Sequence, residues 1–491
     1  MHILYASSEV FPFAKTGGLA DVGGSLPSAL ERLGHEVKVI MPRYSVIPGD
    51  RWEFIKVKDF TLRLGKKEHS LTLWKSRLPG VSVEFLFLST PLFFNHNGLY
   101  SENGKDHPDN LEGFSLFSRA ILEVPKLLNW KPDVLHANDW QTGLVFAYLK
   151  TLLRGDPFYR KTGTLFTIHN MAYQGLFPGS DFPKLDLPRN IFSPDILEFY
   201  GQINFLKGGL AFADILNTVS PTYSREILTP EFGHGLEGVL QKRRNDLFGI
   251  INGADYQEWD PARDSFLPSG YSAGSLEGKS VCKKTLQRRC KFSEKDVPLI
   301  GIISRLTVQK GTDLVLDILD ELMCLDIQLV ILGVGEPDLQ EKLQAKAGRY
   351  RDRVSVHLTF DEAFAHRVEA GADLFLMPSR YEPCGLNQIY SLRYGTIPVV
   401  RKTGGLADTV IDATPSNILS GKATGFMFET ASPLSLLTSL RLALCLYKDP
   451  LLWKKLVQTA METDFSWDHS AREYVKLYEL ALKKVLPRLT V

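Results

Sequence analysis

One seven-residue segment, Lys-Thr-Gly-Gly-Leu-Ala-Asp, occurs twice in this chain without a difference, at residues 15–21 and again at 402–408. Each copy follows a short apolar run, residues 3–6 in the first case and 397–400 in the second, and each leads into a helix-like segment. Strand, glycine turn and helix in that order make the phosphate cradle of α/β proteins. Paired glycines let a ligand come close to the backbone, and the helix N-terminus offers unpaired N–H groups to an anion. One Gly-Gly turn is a weak signal, but a seven-residue identity in the same context is a strong constraint. It predicts two α/β domains that share one phosphate-bearing ligand.

The chain has 491 residues, more than one ordinary core holds, so at least two domains are expected. With 57 basic and 56 acidic residues the formal charge is +1, which argues against a nucleic-acid or membrane-surface partner. The five cysteines (Cys282, Cys290, Cys324, Cys384 and Cys445) are odd in number and include no CxxC pair. Neither a disulfide framework nor a zinc site is implied, and a reducing compartment fits. The first strand begins at His2 with no basic and apolar leader before it, and no apolar run is long enough to span a bilayer. A cytoplasmic location is the expectation.

Short apolar runs alternate with amphipathic, helix-length segments in both halves. The first half gives strands at 3–6, 36–41, 83–88, 134–137, 165–168, 215–219 and 247–251, and helices at 21–33, 112–128, 141–153 and 207–212. Residues 52–73 alternate apolar and polar and read as an inserted β-hairpin. A polar stretch at 252–278, rich in Gly, Pro and Ser, reads as a linker, after which the rhythm restarts. Strands follow at 299–303, 328–332, 354–358, 374–377 and 397–400, with helices near 313–323, 338–345, 361–370, 385–394 and 406–411. The predicted fold class is α/β, two doubly wound parallel sheets covered on both faces. The predicted domains are 1–252 and 253–465, with a C-terminal helix from 466 to 491 crossing back to the first.

Ligands of such sheets lie beyond the carboxyl ends of strands. Polar clusters stand at those positions: Asn138-Asp139, His169-Asn170, Ser304-Arg305 with Lys310, and Ser379-Arg380-Tyr381-Glu382. Arg305 and Lys310 suit a diphosphate, the first through forked hydrogen bonds and the second as a mobile point charge. Glu382 precedes the helix start Pro383-Cys384-Gly385-Leu386, where it caps the helix or accepts hydrogen bonds from hydroxyls. No histidine neighbours Cys384 in sequence, so Cys384 is read as a small residue shaping that helix start, not as a nucleophile. His169 fits a general base, a hydroxyl ligand or a structural histidine. No Asp-x-Asp pair and no His/Cys cluster of zinc spacing occurs, so no metal or other cofactor is expected. Gly333-Val334-Gly335 lacks the third glycine of a dinucleotide fingerprint.

Taken together the motifs resemble the bacterial glycogen synthases and plant starch synthases, retaining glucosyltransferases of the two-domain GT-B fold. The resemblance runs the whole chain. It rests on residues 15–22, His136-Ala-Asn-Asp-Trp140, Thr167-Ile-His-Asn170, Tyr173-Gln-Gly175, Glu198-Phe-Tyr-Gly201, Val219-Ser-Pro-Thr-Tyr223, Thr229-Pro-Glu-Phe-Gly233 and Ile251-Asn-Gly253. It continues through Ser304-Arg-Leu306, Lys310-Gly311 and Ser379-Arg-Tyr-Glu-Pro-Cys-Gly-Leu386. The resemblance implies two Rossmann-like domains facing a central cleft, and transfer of glucose from ADP-glucose to the non-reducing end of an α-1,4-glucan with retention.

By the same resemblance Lys15, Gly17, Gly18 and Asp21 belong to the donor site, as do Thr403, Gly404 and Gly405 of the second copy. Asp139, His169 and Asn170 border the glucose, Arg305 and Lys310 hold the diphosphate, and Glu382 binds glucose hydroxyls, helped by the backbone of Cys384, Gly385 and Leu386. Phe360 stands where bacterial members carry a tyrosine that stacks on adenine; it keeps the ring and loses the hydroxyl. Asn387 replaces a frequent threonine and Gly113 a usual arginine. The alternatives are a UDP-glucose-using glucan synthase and a non-catalytic glucan-binding protein of the same fold; the latter would be expected to have lost Glu382, Lys310 or His169. Because the proposed ligand groups are split between halves, closure about hinges near 252–261 and 466–469 is expected.

Overall fold

The centre of the N-terminal sheet forms because its strands are buried on both faces, as a sheet covered by helices on each side requires. In the computed structural model, which describes residues 1–486 except Asn103, the strands of the whole sheet are β1 (His2–Ala6), β2 (Glu36–Pro42), β3 (Ile55–Leu64), β4 (Lys67–Ser76), β5 (Glu84–Ser89), β6 (Val134–Asn138), β7 (Gly163–Ile168), β8 (Ile215–Thr218) and β9 (Leu247–Gly249). Their order is β9-β8-β7-β6-β1-β2-β5-β4-β3. All neighbours from β9 to β5 run parallel, and β5, β4 and β3 pair antiparallel. The hairpin β3–β4 is half exposed and extends the sheet at one edge, and it reaches Ser76, three residues beyond the predicted end.

The sequence direction reverses between β1 and β6, so the crevice at their carboxyl ends is a topological switch point. Helix α1 (Gly18–Arg32) follows β1 and helix α2 (Asn110–Leu127) precedes β6. The predicted helix at 141–153 is instead a 3-10 turn, Trp140–Thr142, and a short helix, Leu144–Lys150. Gly143 between them sits on the Phe205 carbonyl, so close that a Cβ there would lie 2.1 Å from its oxygen. A small antiparallel sheet, Leu176–Pro178, Gln202–Asn204 and Glu198–Phe199, was not expected from the sequence.

This first unit comprises Met1–Gly253 and the segment from Trp467 onward. The helix Trp467–Val485 packs on it: Trp467, Tyr474, Leu477, Tyr478 and Ala481 are buried in the same core as Ile3, Val134 and Leu165. Tyr478 OH meets His136 Nδ1 at 2.9 Å, and Asn217 donates to Tyr474 OH at 3.0 Å.

The second unit is Ala254–Ser466. Its strands are β10 (Leu299–Ile303), β11 (Gln328–Leu332), β12 (Val354–His357), β13 (Leu374–Met377), β14 (Ile397–Arg401) and β15 (Phe426–Phe428), in the order β12-β11-β10-β13-β14-β15, all parallel. The switch point lies between β10 and β13. Strand β15, three residues long, is additional to the five expected, and the end of the predicted linker already belongs to the helix Glu277–Arg289. Among the described residues no helix is long and apolar enough to cross a membrane.

Candidate active site

In the first unit the chain leaves β1 as Ser7-Ser8-Glu9 and returns through an exposed loop, residues 15–18, into α1. Glu9 is buried beneath that loop, 3% exposed. Its Oε2 accepts from the backbone N–H of Thr16 at 2.5 Å and of Gly17 at 3.2 Å, and its Oε1 accepts from the Thr16 hydroxyl at 2.6 Å and the Tyr100 hydroxyl at 2.7 Å. Burial raises the Glu9 pKa, and these four donors act against that rise. Two N–H groups of the first glycine loop therefore serve an internal carboxylate, and the helix N-terminus from Gly18 onward is the part of this cradle suited to an external anion. Lys15 Nζ lies 2.6 Å from Asp21 Oδ1, and the ammonium stands over the Phe11 ring.

The neighbouring strand ends carry the next group. Asp139, just past β6, holds a positive φ of 56°, a conformation uncommon for a residue with a side chain. Its Oδ1 accepts from the His169 N–H at 2.7 Å, bridging the ends of β6 and β7. Removal from water, with Glu9 nearby, pushes the Asp139 pKa up to about 7. His169 Nε2 meets Asn138 Oδ1 at 3.0 Å, while Asn138 Nδ2 donates to the Ala6 carbonyl. That pairing fixes the Asn138 amide and places the proton of a neutral His169 on Nε2. Desolvation lowers the His169 pKa to about 3, so the ring is neutral at ordinary pH, suited to a hydroxyl and not to cationic duty. Asn170 Oδ1 accepts from the Ala172 N–H at 3.0 Å, shaping the turn after His169. His136, in the middle of β6, is fully buried between Tyr478 and Thr167 and is structural.

In the second unit, β10 and β13 are neighbours, so the residues beyond their ends meet. Lys310 forms an ion pair with Glu382, which is 5% exposed and also accepts from Ser379 Oγ at 3.1 Å. Arg305 is exposed and reaches Gln309 at 3.4 Å. Arg380 pairs with Asp313 and its carbonyl receives Arg401, which locks the loop that carries Glu382. The second glycine copy lies against that loop: Gly405 N–H donates to the Glu382 carbonyl at 3.1 Å. Gly404 has φ 44°, and a Cβ there would fall 1.9 Å from the Glu382 carbonyl oxygen. In the first copy Gly17 is extended and a Cβ would meet nothing within 4 Å. The two identical heptapeptides thus differ in use: one glycine faces open space, and the other lets two site loops touch.

Cys384 is buried, and its carbonyl accepts from Gln388. Gly385 has φ 73°, Leu386 stands immediately before the helix Asn387–Arg393, and Thr403 immediately before the helix Gly404–Thr409. Asn387 donates to the Ile303 carbonyl at 2.7 Å, tying that helix to the end of β10. Phe360, beyond β12, is 83% exposed. Gly113 lies in α2, where a Cβ would already approach the Phe93 ring at 3.2 Å, so an arginine there would displace that ring. Among the described residues no group of three or more His, Cys, Asp or Glu side chains is placed to hold a metal ion. Glu9 and Tyr100 were not among the residues that the strand-end pattern singled out, whereas Asn138 and Ser379 stood in its clusters. Glu9 had a signal, since it is a carboxylate three residues past the end of β1.

The family model for the starch synthase catalytic domain matches residues 2–242, and that for glycosyl transferases group 1 matches residues 283–455. The chain is 47% identical over 490 residues to "Glycogen synthase 1" of Methylococcus capsulatus, covering 98% of this chain and 97% of that one. It is 48% identical over 480 residues to the glycogen synthase of Anaeromyxobacter dehalogenans, covering 97% and 99%. The chain belongs to the glycogen and starch synthase family. As a member it is a retaining glycosyltransferase of GT-B fold, with two Rossmann-like units. Among solved structures of the family, the catalytic domain of starch synthase IV from Arabidopsis thaliana, bound to ADP and acarbose, is similar with a TM-score of 0.89 at 34% identity, covering 98% of this chain and 99% of that one. Sucrose-phosphate synthase from Thermosynechococcus elongatus, at 17% identity and a TM-score of 0.60, shares the fold.

Proposed function

We propose that this glycogen synthase family member transfers glucose from ADP-glucose to the non-reducing end of an α-1,4-glucan, with retention. The observation that carries the reading is the Lys310–Glu382 pair with Ser379, set beside the second glycine loop at the carboxyl end of the second sheet. Cleaving a glucosyl–diphosphate bond places negative charge on the departing diphosphate and positive charge on the sugar ring. A preorganised ammonium stabilises the first and a carboxylate the second. In the reading proposed, the diphosphate draws Lys310 toward itself, Arg305 adds forked hydrogen bonds, and Glu382 is left to accept from glucose hydroxyls. Asp139, neutral His169 and Asn170 contact the glucose; the leaving phosphate takes the proton of the acceptor hydroxyl. Support comes from relatives named glycogen synthase along their whole length and from a structural neighbour that holds ADP and acarbose.

The test is direct: the protein is mixed with glycogen and ADP-glucose, and ADP release is followed with the anomeric configuration of the new linkage. Sustained ADP release with a new α-linkage is expected, and kcat/KM with UDP-glucose is expected to be lower. Equal or better use of UDP-glucose would overturn the donor assignment, and no transfer from either donor would overturn the activity. Excess EDTA is expected to leave the rate unchanged, since no metal motif is present in the sequence. A loss on chelation that a divalent cation restores would refute that.

A further inference from the structure

The first glycine loop is exposed, yet it is tied from beneath by a carboxylate that none of the steps above uses. Glu9 has no cationic partner within its hydrogen-bonded set. All four of its contacts are donors: two backbone N–H groups and a hydroxyl from Thr16–Gly17 on one side, and the Tyr100 hydroxyl on the other. Four donors on two oxygens fill the lone pairs of an ionised carboxylate, and a protonated acid would have to point its O–H at a donor. Ser8 Oγ stands 2.7 Å from Tyr100 OH, so with Tyr100 donating to Glu9, Ser8 donates to Tyr100. The carboxylate's own backbone is held as well, because the Ser7 hydroxyl donates to the Glu9 carbonyl at 2.7 Å. A chain of bonds therefore runs from the end of β1 to the loop that presents Lys15, Gly17 and Gly18.

We propose that Glu9 is a positioning residue, whose buried carboxylate holds loop 15–18 in the conformation that receives the donor. The inference rests on the functional reading above, and it adds a residue that touches neither donor nor acceptor. The ionised form is needed because it alone accepts from Thr16 N–H, Thr16 Oγ1, Gly17 N–H and Tyr100 OH together. Glutamine has nearly the same shape, but its amide N–H₂ would face two of those donors in either orientation. Aspartate keeps the charge but draws it back by one methylene. Removing the Tyr100 hydroxyl takes one donor away without touching the loop.

The experiment compares wild type, Glu9→Gln and Tyr100→Phe by amide hydrogen exchange at Thr16 and Gly17 and by steady-state kinetics with ADP-glucose and glycogen. Kinetics are run well above the Asp139 pKa of about 7, so that Asp139 is ionised in every variant. In Glu9→Gln, exchange at both amides should quicken at least tenfold. Its kcat should fall on the order of 10- to 100-fold with a raised donor KM, while the glycogen KM is unchanged and the unfolding midpoint shifts little. Tyr100→Phe should move the same quantities in the same direction by less. Wild-type kcat and donor KM in Glu9→Gln, or unchanged exchange at Thr16 and Gly17, would overturn the proposal. So would equal losses for donor and glycogen. If Glu9→Gln does not fold, Tyr100→Phe decides by the same criteria. If wild type itself fails to turn over ADP-glucose, the functional reading falls, and the exchange rates decide whether Glu9 holds the loop.

Discussion

His169 and Glu382 ask different things of their surroundings. His169 is kept neutral by its enclosure and oriented by Asn138, whereas Glu382 is held in place by its ion pair with Lys310 and the Ser379 hydroxyl. Glu382→Gln and His169→Ala should each lower kcat by on the order of 10²-fold, as for loss of one preorganised partner, with melting temperatures little changed. Near-normal kcat in either variant, or loss by unfolding alone, would refute its role. With a pKa of about 3, His169 should add no limb to the pH–rate profile near the ordinary histidine value. Asp139 bears on stability too. Its folded pKa of about 7 lies above the ordinary aspartate value of 3.8, so between those limits the native state keeps a proton that the unfolded chain has released. Its contribution is therefore full below the unfolded value and is lost as pH rises through the folded one. In urea titrations from about pH 4 to 7, Asp139→Asn should flatten the decline in stability by as much as one proton's worth; an unchanged slope would place the Asp139 pKa elsewhere. Residues such as Asp139 and Glu382 were legible because polar side chains just past apolar strands have few structural reasons to be there. Glu9 obeyed the same rule, but its role depends on Tyr100, which is remote in sequence, and no local pattern connects them.

At the scale of elements, the two heptapeptides show what a motif does and does not determine. The strand, turn and helix were readable in both copies, because glycine at a turn and apolar runs before it are local properties. What each glycine faces is set by the tertiary neighbour: open space at Gly17, the Glu382 carbonyl at Gly404. Gly404→Ala should therefore displace the Glu382 loop, costing stability by more than the ~1–2 kcal/mol of a left-handed alanine and lowering kcat at least tenfold. Gly17→Ala should leave stability within about 0.5 kcal/mol, so any loss of activity there reports on ligand approach. Equal thermal shifts in the two variants would contradict the difference in packing. Most strands were visible because each is a short segment dominated by apolar, often β-branched residues. The three-residue strand Phe426–Phe428 was not, since its pairing with β14 comes from the sheet edge and not from its own pattern. The small sheet at 176–204 was hidden for the same reason: its strands have two or three residues each.

For the molecule as a whole, the periodic apolar face of the last helix was legible, while its hydrogen bonds to His136 and Asn217 were not. Trp467, Tyr474, Leu477, Tyr478 and Val485 are all buried in the first unit. At roughly 1.5–3 kcal/mol for each large side chain, their burial contributes on the order of 10 kcal/mol, as much as the whole stability of an ordinary domain. This has a bearing on birth at the ribosome. The first unit is discontinuous, and its last piece is translated only after all of Ala254–Ser466. The usual order, in which the N-terminal domain folds first as it emerges, should then be inverted here. A nascent chain stalled with residues 1–466 outside the exit tunnel should hold a folded second unit and a protease-sensitive first unit. Protection of residues 1–253 should come only when 467–485 have emerged. Early protection of the first unit would show that its core closes without the helix. Until synthesis passes the end of that helix, the loop carrying Lys15 and the strand ends carrying Asp139 and His169 belong to an unfinished domain, so the candidate residues of the first unit are the last to mature.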